Sequence, residues 1–206
     1  MMLRLRHILL TLLLVGFAGS AAAQETASSF MNRVVNKLQQ SKSLTAKYTA
    51  VADGHAQSGL LTVCGDRFKL VSPSVSCWFD GTTQWTYSTA VGEINITTPT
   101  PEELQQVNPF AIIQAFRRSY TATVASQSGS DVTLDLKAKE AKSDLRSALL
   151  TVDERTLMPK KVEISLANGQ QMSITISDIK PGPVMGVESF KFNGKQYPGI
   201  RVVDLR

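Results

Sequence analysis

The feature that most limits what this chain can fold into is the spacing of its strand-like runs. Residues 59–64, 67–72, 75–79, 84–88 and 93–97 succeed one another with only a few residues between them. The breaks are turn formers, Gly65-Asp66, Ser72-Pro73-Ser74 and Asp80-Gly81. A crossover between parallel strands takes a dozen residues or more, so these runs predict antiparallel neighbours. Just before them Leu44, Ala46 and Tyr48 alternate with Thr45, Lys47 and Thr49, the period of a half-buried strand. A second set covers residues 120–125, 131–138, 149–153, 160–167 and 171–179. Its links include Gly129-Ser130 and Asn168-Gly169, and Asn-Gly is the strongest short hairpin signal. A twisted antiparallel sheet of this many strands curls toward a barrel and leaves a concave face.

Helical periodicity interrupts the strands twice. Over residues 25–41, Phe30, Val34, Val35 and Leu38 make one apolar stripe against Asn32, Lys37 and Gln39. Between the two strand sets, Thr100-Pro101-Glu102-Glu103 combines an N-cap, a proline at the first helical position and a capping-box glutamate. Asn108-Pro109 repeats the start signal and opens an apolar helix over 110–116, uncharged until Arg117 and Arg118. A helix without a polar face has to bury itself. No repeat or linker divides the chain, so residues 24–206 read as a single domain.

The first 23 residues read as a cleavable signal peptide. Arg4, Arg6 and His7 precede an apolar run over 8–17 that is too short to span a bilayer. Ala21 and Ala23 then stand at the A-x-A spacing of a cleavage site. Cleavage leaves Gln24 first, with no cysteine beside it to be acylated, and predicts an exported protein. Of 22 basic residues two leave with the leader, and against 17 acidic ones the charge falls from +5 to +3. Without a block of like charge, that balance gives no face for nucleic acid.

Signals for catalysis are sparse. His55 is the single histidine after the leader and sits in the turn Asp53-Gly54-His55, where an exposed loop residue is the plain reading. No G-x-S-x-G, P-loop or G-x-G-x-x-G occurs. Glu102 and Glu103 are adjacent on a helix and point apart, so capping accounts for them. Nothing points to a cofactor, and the spacing of Cys64 and Cys77 suits no zinc motif. An exported setting permits a disulfide between those two cysteines, although they fall on strands separated by a third, and the pairing stays open.

The apolar residues carry more. Tyr48, Leu61, Phe68, Leu70, Trp85, Tyr87, Ile94 and Ile96 recur at alternate positions along the first set of strands. With Phe110, Ile112, Ile113 and Phe116 of the apolar helix, they are the candidates to line a ligand cavity inside the curled sheet.

Several segments, in order, resemble the family of periplasmic outer-membrane lipoprotein carriers, LolA. They are Leu44-Thr45-Ala46-Lys47-Tyr48, then Asp80-Gly81-Thr82-Thr83-Gln84-Trp85-Thr86-Tyr87, then Asn108-Pro109-Phe110-Ala111-Ile112-Ile113, and finally Phe190-Lys191-Phe192 with Pro198-Gly199-Ile200-Arg201-Val202. The resemblance implies a mainly β fold, an incomplete antiparallel barrel of about eleven strands with an N-terminal helix and a helical lid. It also implies a monomeric, non-enzymatic carrier that takes the acyl chains of lipoproteins from the inner to the outer membrane. An inner-membrane lipoprotein-release ABC transporter and an outer-membrane acceptor would be its partners. Phe68 and Leu70 would sit on the strand after the family's basic turn, Trp85 and Tyr87 in its hairpin, and Phe110, Ile112 and Ile113 in the lid. The chain departs from the family at Cys64-Gly65-Asp66, which stands where Lys-Arg-Pro is common, so the arginine that latches the lid is absent. Three other readings compete: an envelope glycolipid-binding or stress-sensing module on the same barrel, an exported hydrolase built on His55, and a structural protein with a filled interior.

Overall fold

A computed structural model describes residues 25–206, so the leader and the Gln24 terminus lie outside the described residues. Helix α1 (Ala27–Gln40) opens on Thr26, whose hydroxyl accepts the Ser29 N–H, and it buries Phe30, Met31, Val34, Val35 and Leu38. Six strands follow: β1 (Ser43–Ala52), β2 (His55–Cys64), β3 (Arg67–Val71), β4 (Val75–Phe79), β5 (Gln84–Ser88) and β6 (Glu93–Thr97). Helices α2 (Pro101–Val107) and α3 (Pro109–Ser119) come next. The second set is β7 (Tyr120–Ser128), β8 (Asp131–Ala138), β9 (Leu145–Asp153), β10 (Met158–Leu166) and β11 (Gln171–Gly182). Two short 3-10 turns, Val187–Phe190 and Gly194–Gln196, lead to β12 (Arg201–Asp204).

Among the described residues all twelve strands belong to one sheet, ordered β12-β6-β5-β4-β3-β2-β1-β11-β10-β9-β8-β7. The two sets join where β1 pairs antiparallel with β11, and β12 and β7 remain as edges, so the sheet curls without closing. The mainly β, incomplete-barrel fold is as expected, with twelve strands instead of about eleven. One pairing differs in kind, since β12 runs parallel to β6. The chain between β11 and β12 is long enough to cross the sheet and return in the parallel sense, a freedom the short hairpins lack.

Side chains from one face of β1–β4 and β7–β11 meet α1 and α3 in a common core. The apolar helix behaves as its composition demands, with Phe110, Ile112, Ile113, Ala115 and Phe116 all buried. Its start is fixed by Asn108, whose side-chain oxygen accepts the Phe110 N–H at 3.0 Å, and α2 begins in a complete Thr100–Glu103 capping box. Gly59 faces Tyr48 across β1 and β2. A Cβ at that position would collide with the Val71 carbonyl oxygen and lie 2.9 Å from the Tyr48 ring, so the tyrosine lies over a position only glycine can fill.

Candidate functional site

Strand register decides which residues face the interior. One row reads Leu44, Val63, Phe68, Phe79, Gln84, Thr97 from β1 to β6, and the next reads Ala46, Leu61, Leu70, Cys77, Thr86, Asn95. Both rows are on the inner face and turn from apolar to polar between β4 and β5. The outer rows do the reverse: Thr45, Thr62, Lys69, Trp78, Trp85, Ile96, and Lys47, Leu60, Val71, Ser76, Tyr87, Ile94. The apolar side of the sheet therefore changes over at β4.

This corrects the expectation for Trp85, Tyr87, Ile94 and Ile96. They lie on the outer face, away from the helices. Period-two alternation shows that these residues share a face but not which face is covered. Here the cover is the chain after β11. Trp78 packs edge-on against Phe192 and Tyr197, and Tyr87 lies tilted against Tyr197 with ring centres 5.1 Å apart. Ile94 and Phe190 are fully buried in this second cluster, and Arg67 lies over the Phe190 ring at 5.4 Å.

The same parity separates the cysteines. Cys64 pairs with outward Arg67, and Cys77 faces inward opposite Leu70. Both are free and buried, on opposite faces of the sheet, and form no disulfide. Burial pushes the Cys77 thiol up to about 12, although Thr86 donates a hydrogen bond to its sulfur, so it stays protonated and unreactive at neutral pH.

Two recesses lie between the inner face and the helices. The larger, about 670 Å³, has a floor of Leu44, Val63, Phe68, Phe79, Leu104 and Phe110, with Lys42, Asp66, Gln114 and Arg118 at its rim. That volume falls in the usual range for small-molecule sites. The smaller, about 180 Å³, is lined mainly by Tyr48, Leu61, Leu70, Val75, Cys77, Val107, Pro109, Met172 and Ile174, with Gln57, Thr86 and Gln106 as polar groups. Phe68 opens on one recess and Leu70 on the other, and Phe110 and Pro109 divide in the same way. Ile112 and Ile113 belong to the packed core, and Phe116, also in the core, borders a shallow surface hollow beside Tyr120. Sequence reading missed Gln84, Thr86 and Asn95, whose only signal was a polar alternation inside an apolar hairpin.

The helices over these recesses are held by few polar ties. The Tyr120 hydroxyl donates to buried Gln105 Oε1, while Gln105 Nε2 donates to the Pro101 carbonyl. Burial and then the nearby Glu102 carboxylate push the Tyr120 phenol up to about 12, so it remains a donor. Gln114 donates to the Gly65 carbonyl at 3.3 Å, a neutral contact at the turn where the latch arginine is missing. His55 begins β2 and is exposed, and among the described residues no group of three metal-ligating side chains gathers.

An open sheet curled over helices, with a larger recess of mixed polarity and a smaller apolar one between the two, defines the class: a β half-barrel of the LolA type. The chain belongs to the outer membrane lipoprotein carrier protein LolA family, whose sequence profile matches residues 16–170. Among solved structures, an uncharacterized conserved protein from Thermus thermophilus is similar at TM-score 0.54 and 8% identity, covering 84% of this chain and 98% of that one. A DUF1329 family protein from Desulfovibrio piger reaches 0.50 at 9% identity, over 84% and 100%. A LolA superfamily protein from Nitrosomonas europaea gives 0.46 at 14% identity, over 82% and 98%. Identities this low speak to the fold alone. Among proteins of curated function, none matches significantly.

Proposed function

We propose that this protein is a non-enzymatic periplasmic carrier that shelters the acyl chains of lipoproteins between the inner and outer membranes. The observation that carries the proposal is the pair of recesses beneath α2 and α3 in a chain of the LolA family. An inner-membrane lipoprotein-release transporter would load it and an outer-membrane acceptor would unload it. The leader-like first 23 residues support export.

The energetics constrain how such a carrier works. Burying a methylene is worth about 0.8 kcal/mol, so a 14-carbon chain gains roughly 11 kcal/mol on leaving water. A carrier has to match most of that to extract cargo, yet fall short of the acceptor to release it. The 180 Å³ recess lies below the size of ordinary ligand sites, so a chain that enters it requires α2 to move away from the sheet. α2 suits that motion, being two turns long with only Gln105 buried.

The test is uptake of a fluorescent acyl probe by the purified mature protein, together with solvent extraction and lipid analysis of the protein isolated from the periplasm. Leu70→Trp, which fills the smaller recess, should weaken probe binding at least tenfold. A protein that takes up no probe and yields no acylated cargo would refute the carrier role. A co-purifying glycolipid would instead favour the sensing or glycolipid-binding module on the same fold.

A further inference from the structure

Two buried side-chain amides, Gln105 and Asn108, line the larger recess, and they differ in how fully they are paired. Gln105 is engaged at both ends, its oxygen by the Tyr120 hydroxyl and its nitrogen by the Pro101 carbonyl. Asn108 is 2% exposed and engaged at one end only. Its Oδ1 accepts the Phe110 N–H at 3.0 Å, whereas its Nδ2 makes no hydrogen bond among the described residues. The orientation of this amide is fixed. A backbone N–H can only donate, so it has to face the oxygen, and turning the amide over would set two donors against each other.

The free nitrogen is not sealed in. Among the described residues, Gln84 Oε1 is the one buried side-chain atom that is both closed off from solvent and unpaired, so Asn108 Nδ2 reaches open space. The recess that Asn108 lines is the larger one, beside Leu104 and Phe110. Capping α3 accounts for the oxygen and leaves the nitrogen unexplained. Ser and Asp cap a helix as well as Asn does, and threonines at 26 and 100 cap α1 and α2 in this chain. What asparagine adds is a neutral N–H donor, held in place by the cap at the wall of the recess. A buried donor of this kind is unfavourable until something pairs with it.

We propose that Asn108 Nδ2 donates a hydrogen bond to the carbonyl oxygen of an acyl group bound in the larger recess, so that the site selects acyl chains over alkyl chains. This rests on the acyl-binding role proposed above and names the chemistry that is read, an acceptor at the head of the chain. The mixed lining of the recess suits such a ligand. Its floor of Leu44, Val63, Phe68 and Phe79 takes the chain, and its polar rim faces the remainder.

The experiment is displacement of N-phenylnaphthylamine, a neutral probe without a carbonyl, from the purified mature protein. The competitors are methyl decanoate, N,N-dimethyldecanamide and decyl chloride, which share a chain and differ in the strength of the acceptor at its head. The series is repeated on Asn108→Asp, which keeps the cap on Phe110 and puts a carboxylate oxygen where the donor stood. Intrinsic differences in ligand polarity cancel in the comparison between proteins. The affinities of the ester and the amide, each taken relative to the chloride, should fall about tenfold on substitution. Asn108→Ser, whose shorter side chain still caps the helix, reads the same ratios if the aspartate variant does not fold. Ratios that stay unchanged, or an equal loss for all three competitors, overturn the role of Asn108 and leave the carrier reading standing. If neither the probe nor any competitor binds the unsubstituted protein, the carrier reading falls and this assignment falls with it.

Discussion

At the scale of single residues, the interior is governed by small differences in size and hydrogen bonding. Tyr48 shows how closely these are set. Burial raises its phenol, the nearby Ser72 hydroxyl opposes that rise, and its ring occupies the space left by Gly59. Gly59→Ala should destabilise the fold by about 1–3 kcal/mol, because the new methyl meets backbone as well as a flexible ring. A lower urea midpoint with an unchanged slope is the expected reading. An unaltered midpoint would mean that Tyr48 does not lie over this glycine. Phe68 and Leu70 could be picked from the sequence as interior residues because they alternate with Arg67 and Lys69, and Phe110 because its helix has no polar face to turn outward. Gln84 could not, since a lone glutamine in a hairpin usually marks a solvated face.

At the scale of elements, hairpins and caps are legible because their chemistry is local. The β9–β10 hairpin turns on Asp153, which accepts from the Thr156 and Arg155 N–H groups at 2.9 and 3.1 Å and pairs with Lys160 at 3.2 Å. Lys160 also reaches Asp131 at 2.5 Å, which ties β8 to the same hairpin. The Thr156 backbone N–H, with the ammonium of Lys160 and the hydroxyls of Thr156 and Ser130, holds the Asp153 carboxyl well below its ordinary 3.8. A carboxyl depressed on folding contributes stability that is complete above its unfolded value and is lost as the pH falls through the folded value. Acid should therefore weaken this hairpin below about pH 4, and Asp153→Asn should flatten that part of the pH–stability curve. Equal acid sensitivity in the variant, followed by urea midpoints from pH 6 down to 2, would count against this role for Asp153. The apolar 110–116 segment was equally readable, because a helix with no polar face has one physical option.

At the scale of the whole molecule, the chain covers both faces of its sheet, with helices inside and the segment after β11 outside. Both tryptophans, Trp78 and Trp85, are in the outer cluster. Deleting residues 183–206 should expose Ile94 and the Trp78 face and remove buried Phe190. Each large apolar side chain lost from burial costs about 1.5–3 kcal/mol, so the truncated protein should be several kcal/mol less stable. A red shift of tryptophan emission with little change in acyl-probe uptake would place the damage on the outer face. Unchanged emission would show that the tail is not the cover. The sequence by itself determined the strand runs, the tight antiparallel hairpins, the two capped helices and the need to bury the apolar one, since each depends on neighbours a few residues away. Only the tertiary structure decided that the apolar side of the sheet reverses at β4, that Trp85, Tyr87, Ile94 and Ile96 face outward, that Cys64 and Cys77 lie on opposite sides, and that a polar wall stands inside. Alternation along a strand fixes which side chains share a face, whereas the choice of which face is covered depends on segments distant in the chain.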